Sequence, residues 1–204
     1  MPTMRMASSV TLPGLQPCGL AWDGEAWWHA DGTAHRVYRL DPEDGAIRRE
    51  FEVRGAMGGT AWGGGFVWQV IPAENKILKL HPATGELMGV IAPGVSIVGV
   101  TWAFDTHLVV SGHYEQALFL LDPTTGRIEG QMAVPERPGD VAWDGSAFWT
   151  GGAPGSALIF RLEPSTGRIL RVFEGWGDVR GIAWDGQRLW WVECGDRRAF
   201  PVKE

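Results

Sequence analysis

A tryptophan recurs at an almost constant interval along the whole sequence. Five tryptophans follow short apolar stretches such as GLAW and GIAW at intervals of 40, 40, 41 and 41 residues: Trp22, Trp62, Trp102, Trp143 and Trp184. Prolines keep the same rhythm at intervals of 40, 41 and 41, each followed three residues later by glycine: Pro42, Pro82, Pro123 and Pro164. A third marker, an apolar pair, ends at Trp28, Trp68, Val109, Trp149 and Trp190. The chain is therefore five copies of one unit of about 40 residues.

Each unit has the composition of β-structure. Its apolar stretches are four to seven residues long and are separated by Gly, Asp or Pro, and none keeps a helical period. The Asp-Gly pairs beginning at Asp23, Asp144 and Asp185 suit tight hairpin turns, because the second residue takes a positive φ. The Pro-x-x-Gly segments suit type I turns. Four antiparallel strands in a unit of this length predict a propeller blade.

The two ends of the chain complement each other. The last unit stops at AFPVKE, after its third predicted strand, whereas an unpaired strand, Ser8 to Leu12, precedes the first unit. We expect the N-terminal strand to complete the last blade, which closes the ring and removes an exposed sheet edge. The prediction is an all-β, five-bladed β-propeller that occupies residues 1–204 as one domain.

Charge and hydropathy narrow the function classes. The chain has 18 basic and 24 acidic residues and a formal charge of −6, which argues against a nucleic-acid partner, since phosphate binding needs a basic face. No apolar run approaches the roughly 18 residues of a membrane span, and Met1 to Pro13 lacks the apolar core of a signal peptide. These features predict a soluble, cytoplasmic protein with no membrane partner.

The pattern GLAWDG…WW…RLDPxxG, which spans the whole chain, resembles that of NHL-type, YncE-like and virginiamycin B lyase-like bacterial propellers. The five-blade count is also similar to that of plant-type glutaminyl cyclotransferases. The resemblance implies a fold rather than an activity. A lyase of this type implies histidines and carboxylates around a divalent metal, and the sequence does not supply that cluster. A cyclotransferase implies a proton-shuttling carboxylate at the channel mouth with aromatics around it, for which Asp140, Glu193 and Trp176 are available.

Departures from the repeat point to candidate site residues. Three positions before the marker tryptophan, units 1, 2, 3 and 5 have glycine, whereas unit 4 has Asp140. Four positions before that tryptophan, unit 5 has Arg180. One interpretation is that Asp140 and Arg180 pair with each other and fill space. The other is that they bind a polar ligand, with Arg180 contacting a carboxylate or phosphate.

Other candidates lie at the same end of the predicted ring. Cys18 and Cys194 fall in the first and last units, where they could form a soft-metal site, a disulfide across the ring closure, or two independent buried thiols. Glu193 could act as a base or be solvated. His113 lies in a turn, where a lone histidine is usually exposed. Trp176, in the loop GWGDVRG, could stack on a ligand or cover the channel.

These observations predict a propeller that binds a small polar ligand or a peptide at its channel mouth without catalysis. The alternatives are an enzyme at the same mouth, such as a glutaminyl cyclotransferase or a lyase, and a protein-interaction scaffold. The chain contains no Gly-x-Ser-x-Gly elbow, phosphate loop or His-Glu-x-x-His motif, so the sequence assigns no catalytic residue, metal or cofactor.

Overall fold

The computed structural model describes residues 9–55, 57–152, 155–174 and 177–202. These residues form five four-stranded antiparallel sheets. The first strand of each sheet contacts the first strand of the next, and the last sheet contacts the first, so the sheets surround a central channel. The predicted five-bladed β-propeller is confirmed.

Four blades are each formed by one continuous stretch of chain, and the fifth combines the two ends. Blades 1 and 2 contain β2 (Pro17–Trp22), β3 (Trp27–Asp31), β4 (Arg36–Leu40), β5 (Ile47–Glu52), β6 (Thr60–Gly63), β7 (Phe66–Ile71), β8 (Lys76–Leu80) and β9 (Leu87–Ile91). Blades 3 and 4 contain β10 (Ile97–Ala103), β11 (His107–Gly112), β12 (Ala117–Leu121), β13 (Ile128–Ala133), β14 (Val141–Trp143), β15 (Phe148–Gly151), β16 (Leu158–Leu162) and β17 (Ile169–Glu174). Blade 5 contains β18 (Val179–Trp184), β19 (Leu189–Glu193), β20 (Arg198–Pro201) and β1 (Val10–Thr11).

The N-terminal strand closes the ring, as the sequence predicted. Val10 lies opposite Ala199 in an antiparallel pair, and the Leu12 amide donates to the Arg197 carbonyl at 2.9 Å. The side chains of Val10 and Leu12 are buried. Of the predicted strand, Ser8 lies outside the described residues.

Within the described residues, the one helical element is a 3₁₀ turn, Pro72–Glu74, and no helix there is long and apolar enough to cross a membrane.

An aspartate fixes the first hairpin turn of three blades. The Asp185 carboxylate accepts the amides of Gln187 and Arg188, both at 2.7 Å, and the indole N–H of Trp190 at 2.6 Å. Asp23 and Asp144 make the equivalent contacts in blades 1 and 4. The glycine after each aspartate has a positive φ, between 90° and 96°, as the Asp-Gly pattern predicted. The aspartate thus joins the turn to a core tryptophan.

Tryptophans fill the interfaces between blades. The Trp28 ring of blade 1 stacks on Trp62 of blade 2 at 6.1 Å between centroids, and Trp68 of blade 2 stacks on Trp102 of blade 3 at the same distance. Trp28 and Trp68 are almost completely buried. The repeating tryptophans therefore serve mainly as core residues between blades, as the sequence predicted.

Candidate functional site

The innermost strands begin together at one mouth of the channel, which we call the entry mouth. A cavity of about 200 Å³ lies there. Its lining residues are Cys18, Met57, Gly58, Pro72, Val98, His113, Gly139, Asp140, Gly152, Val179 and Arg180. The walls are largely apolar, and the polar groups come from four residues: Cys18, His113, Asp140 and Arg180. A concave, mostly apolar site with a few convergent polar groups is the usual form of a small-molecule site.

Asp140 forms part of the floor of this cavity. Its carboxylate accepts the Val100 amide of blade 3 at 3.3 Å and the Ile182 amide of blade 5 at 3.1 Å. Both amides belong to innermost strands, so one side chain links three blades across the axis. Val100 and Ile182 also line a second cavity of about 150 Å³ further along the channel. Asp140 therefore stands between the entry mouth and the rest of the channel.

The equivalent glycines of blades 2 and 3 make room for this carboxylate. A Cβ atom on Gly59 would lie 2.2 Å from an Asp140 oxygen, and one on Gly99 would lie 2.6 Å from the same atom. Real Cβ atoms do not approach other atoms this closely. The ring accommodates a carboxylate at this level because the facing positions have no side chain.

The Asp140 carboxyl is buried without a compensating cation. Within the described residues, no ion pair includes Asp140, and the residue is only 5% exposed. Burial raises the pKa of Asp140 well above its ordinary value, although the backbone amides of Ile182, Val141 and Val100 act in the opposite direction. A carboxyl group in this state can hold or give up a proton at a pH where ordinary carboxyls are ionised.

This raised pKa predicts a pH-dependent effect of Asp140→Asn on stability. The folded protein binds the Asp140 proton more tightly than the unfolded chain, so Asp140 destabilises the fold increasingly as pH rises above about 4. Asparagine cannot ionise, so the free energy of unfolding of the variant should rise relative to that of the wild type from pH 4 to pH 8. The relative gain is about 1.4 kcal/mol for each unit by which the pKa is raised. Urea unfolding of both proteins across this range measures it. A difference that does not change with pH would contradict the buried-carboxyl interpretation.

Arg180 lies at the rim of the cavity and does not pair with Asp140. Its Nε atom is 2.5 Å from Asp178, and the Arg180 side chain is 40% exposed. The interpretation that Asp140 and Arg180 pair with each other is therefore wrong. The Asp140 carboxyl is buried in the cavity floor, whereas the Arg180 side chain is partly exposed at the rim.

The two cysteines lie near this mouth as free thiols. The Cys18 thiol lines the cavity and donates to the Gln16 carbonyl at 3.1 Å. Burial raises the pKa of Cys18 to about 11 and also raises the pKa of Cys194. Both thiols are therefore protonated at neutral pH, and the soft-metal alternative stays a prediction. No cluster of three or more metal-ligating side chains occurs in the part of the chain that the structure describes.

The remaining candidates have different environments. Glu193 is buried rather than solvated, does not line the cavity, and accepts the Asp196 amide, so it caps the turn after β19. His113 lines the cavity and is half-buried, with Nδ1 3.4 Å from the Pro138 carbonyl oxygen. Trp176 lies outside the described residues. The site roles that the sequence suggested for these three residues stay predictions.

Sequence reasoning missed the apolar walls and the partner of Arg180. Met57, Pro72, Val98 and Val179 carry no chemical motif: three of them lie in or just before an innermost strand, and Pro72 follows the second strand of blade 2. Asp178 lies two residues before Arg180, a spacing that places both side chains on the same face of an extended strand. That spacing is the one signal that could have identified the pair.

The comparisons with known proteins bear on the fold. No known protein-family profile and no curated protein sequence matches the chain. Among solved structures, the glutaminyl cyclase of Myxococcus xanthus is 14% identical with a TM-score of 0.84, over 98% of this chain and 95% of that one. This chain is a small five-bladed β-propeller with the same fold as that structure.

Two further structures share the propeller less completely. Virginiamycin B lyase from Staphylococcus aureus is 20% identical with a TM-score of 0.59, over 94% of this chain and 68% of that chain. Kuenenia stuttgartiensis hydrazine synthase is 16% identical with a TM-score of 0.60, over 87% and 55%. At these identities the likeness establishes the fold alone. The predicted resemblance to glutaminyl cyclotransferase-like and lyase-like propellers is confirmed at that level, and the NHL-like assignment stays a prediction.

Proposed function

We propose that the entry mouth binds a small molecule that carries an acidic group at one end and an amino or amide group at the other. The observation that carries this proposal is the buried Asp140 carboxyl in the floor of a solvent-accessible cavity. A buried ionisable group with no cationic partner among the described residues is costly to maintain. Such a group is a candidate for ligand recognition.

The rim supplies the complementary charge. Arg180 is exposed enough to turn toward a ligand, and its guanidinium can bind a carboxylate through two parallel hydrogen bonds. An anionic ligand would compete with Asp178, which pairs with Arg180. The floor and rim groups together select for a molecule of mixed polarity rather than for a simple anion.

The size of the cavity limits the ligand. A cavity of about 200 Å³ is somewhat larger than an engineered cavity of about 150 Å³ that binds benzene. An amino acid or the terminal residue of a peptide fits this volume, and the rest of a peptide would lie outside the mouth. Met57, Pro72 and Val98 would contact the apolar part of the ligand.

A thermal-shift series with glutamine, glutamate and glutaminylalanine tests the binding proposal. A ligand at ten times its dissociation constant stabilises the folded state by about 1.4 kcal/mol, which raises the Tm by about 3–6 °C for a chain of this size. The shift should be lost in Arg180→Gln and kept in Arg127→Gln, an exposed arginine paired with Glu129 on an outer strand. The proposal fails if none of these compounds shifts the wild type, or if Arg180→Gln responds like the control.

The second candidate is an enzyme at the same mouth that cyclises N-terminal glutamine. In its ionised form the Asp140 carboxylate could accept a proton from the amine as the amine attacks the carbon of the side-chain amide, and the raised pKa favours return of that proton to the nitrogen that departs as ammonia. Mass spectrometry of glutaminylalanine after incubation detects the loss of ammonia. Turnover in the wild type and none in Asp140→Asn would favour this candidate, whereas binding without turnover would favour the non-catalytic one.

A further inference from the structure

The third blade departs from a side-chain arrangement that recurs in the other contiguous blades. In blades 1 and 4 a buried tryptophan lies under an arginine and donates its indole N–H to an aspartate: Trp28 with Arg39 and Asp23, and Trp149 with Arg161 and Asp144. Blade 2 keeps the tryptophan and a cation, with the Lys79 ammonium 5.2 Å from the Trp68 ring centroid. We call this arrangement the indole site.

Blade 3 replaces the members of the indole site with smaller or apolar residues. The strand pairing aligns Val109 with Leu120 in blade 3 as it aligns Trp28 with Arg39 in blade 1. Val109 thus takes the place of the tryptophan, and Leu120 takes that of the cation. Ala103, the residue after the marker tryptophan, stands where blade 1 has Asp23. One whole indole ring and its polar partners are missing from this blade.

A crevice lies where the ring is missing. Its volume is about 210 Å³, and its lining residues are Phe104, Val109, Leu118, Leu120, Gly130, Gln131, Met132, Phe148 and Pro164. Val109 and Leu120 are the two residues that replace the tryptophan and the cation. Phe148 and Pro164, which line one side of the crevice, belong to blade 4. The crevice therefore follows the interface between blades 3 and 4.

Phe104 holds an unusual backbone conformation beside this crevice. Phe104 and Asp105 have φ values of 54° and 59°, in the left-handed region, where blade 2 has Gly64 and Gly65. Side chains other than those of glycine, asparagine and aspartate rarely adopt this conformation, and bulky ones are strained there. The turn projects the Phe104 ring to 4.6 Å from Trp143 and 5.9 Å from Phe148, between centroids, while Phe104 remains 46% exposed.

We propose that the crevice between blades 3 and 4 binds a planar aromatic ring of the size of indole. The other contiguous blades show what fits this position, because each places an indole of the chain itself there. The crevice exceeds the volume of a cavity that holds benzene, about 150 Å³. Phe104 and Phe148 offer ring faces and edges for aromatic contact. The ring could belong to a free small molecule or to a tryptophan side chain of a peptide.

Scanning calorimetry with indole as the probe tests this proposal. Indole should raise the Tm of the wild type by about 3 °C when it is well above its dissociation constant. Val109→Trp restores the missing ring, so this variant should lose the response. Arg180→Gln, which alters the entry mouth, should keep it, and this separates the crevice from the proposed function of the mouth. No shift in the wild type, or an equal shift in Val109→Trp, overturns the proposal.

A second variant covers the case in which Val109→Trp does not fold. Leu120→Arg changes a half-buried residue and places over the crevice the cation that blades 1 and 4 carry. This variant should also lose the indole response, and a response equal to that of the wild type overturns the proposal. N-acetyltryptophanamide, used as a second probe on the wild type, distinguishes the two sources of the ring. A shift with both probes indicates a peptide side chain, and a shift with indole alone indicates a small molecule.

Discussion

Replacing both Val10 and Leu12 with alanine should lower the Tm by about 10–20 °C. Both side chains are buried, at 1% and 3% exposure, and they pack in a core cluster with Trp27, Trp190 and Ala199 that joins blades 5 and 1. Removing two such side chains costs about 5 kcal/mol, and each kcal/mol lowers the Tm by about 2–4 °C in a chain of this length. Scanning calorimetry measures the change.

The residue between these two provides the control. Thr11 lies on the same strand but is exposed, so Thr11→Ala keeps the backbone pairing and should change the Tm by less than about 2 °C. A small effect of the double variant, comparable to that of the control, would mean that the N-terminal strand does not hold the ring closed.

Asp185→Ala should lower the Tm by about 6–12 °C. The substitution removes the acceptor of two turn amides and leaves the indole N–H of Trp190, which is fully buried, without its partner. Losing these bonds and leaving a buried donor unsatisfied costs about 3 kcal/mol, which gives this shift at about 2–4 °C per kcal/mol. Thermal unfolding followed by circular dichroism measures the effect.

A double-mutant cycle with Trp190→Phe identifies the cause of this loss. Phenylalanine has no N–H group, so in that background Asp185→Ala should cost about 1–2 kcal/mol less than in the wild type. An equal cost in both backgrounds would assign the whole effect to the turn amides. Asp185→Asn, which keeps one acceptor oxygen, should fall between the wild type and Asp185→Ala.

The fold could be predicted from the repeat, because each of its markers corresponds to one structural requirement, such as a turn conformation or a buried position. The Asp-Gly pairs predicted turns with a positive φ at glycine, and the glycines have a positive φ. The paired tryptophans were predicted to be core residues, and Trp28, Trp68 and Trp190 are buried. The unpaired N-terminal strand needed a partner, and β20 provides it. The Asp-Gly and tryptophan inferences depend on local chemistry that recurs in several units, so the copies support one another, whereas the closure of the ring depends on one unpaired strand.

The candidate site was less predictable, because it depends on the positions of unlike residues across the ring. The break in the repeat at Asp140 was visible in the sequence, but its backbone partners Val100 and Ile182 are 40 and 42 residues away. The pairing of Arg180 depends on which of several carboxylates its flexible side chain reaches. In the structure it pairs with Asp178, two residues away in sequence. The crevice of blade 3 could have been found from Val109 alone, since the sequence shows that one indole is missing.

The pairing of β1 with β20 also has a consequence for the order of folding. Blades 1 to 4 are each contiguous in sequence and can form from local hairpins, whereas the fifth needs partners 189 residues apart, such as Val10 and Ala199. Contacts of such long sequence separation form slowly. During synthesis, blades 1 to 4 can form before β18 to β20 of the fifth blade have left the ribosome. A circular permutant that begins in a loop between two blades would make every blade contiguous and would remove this delay.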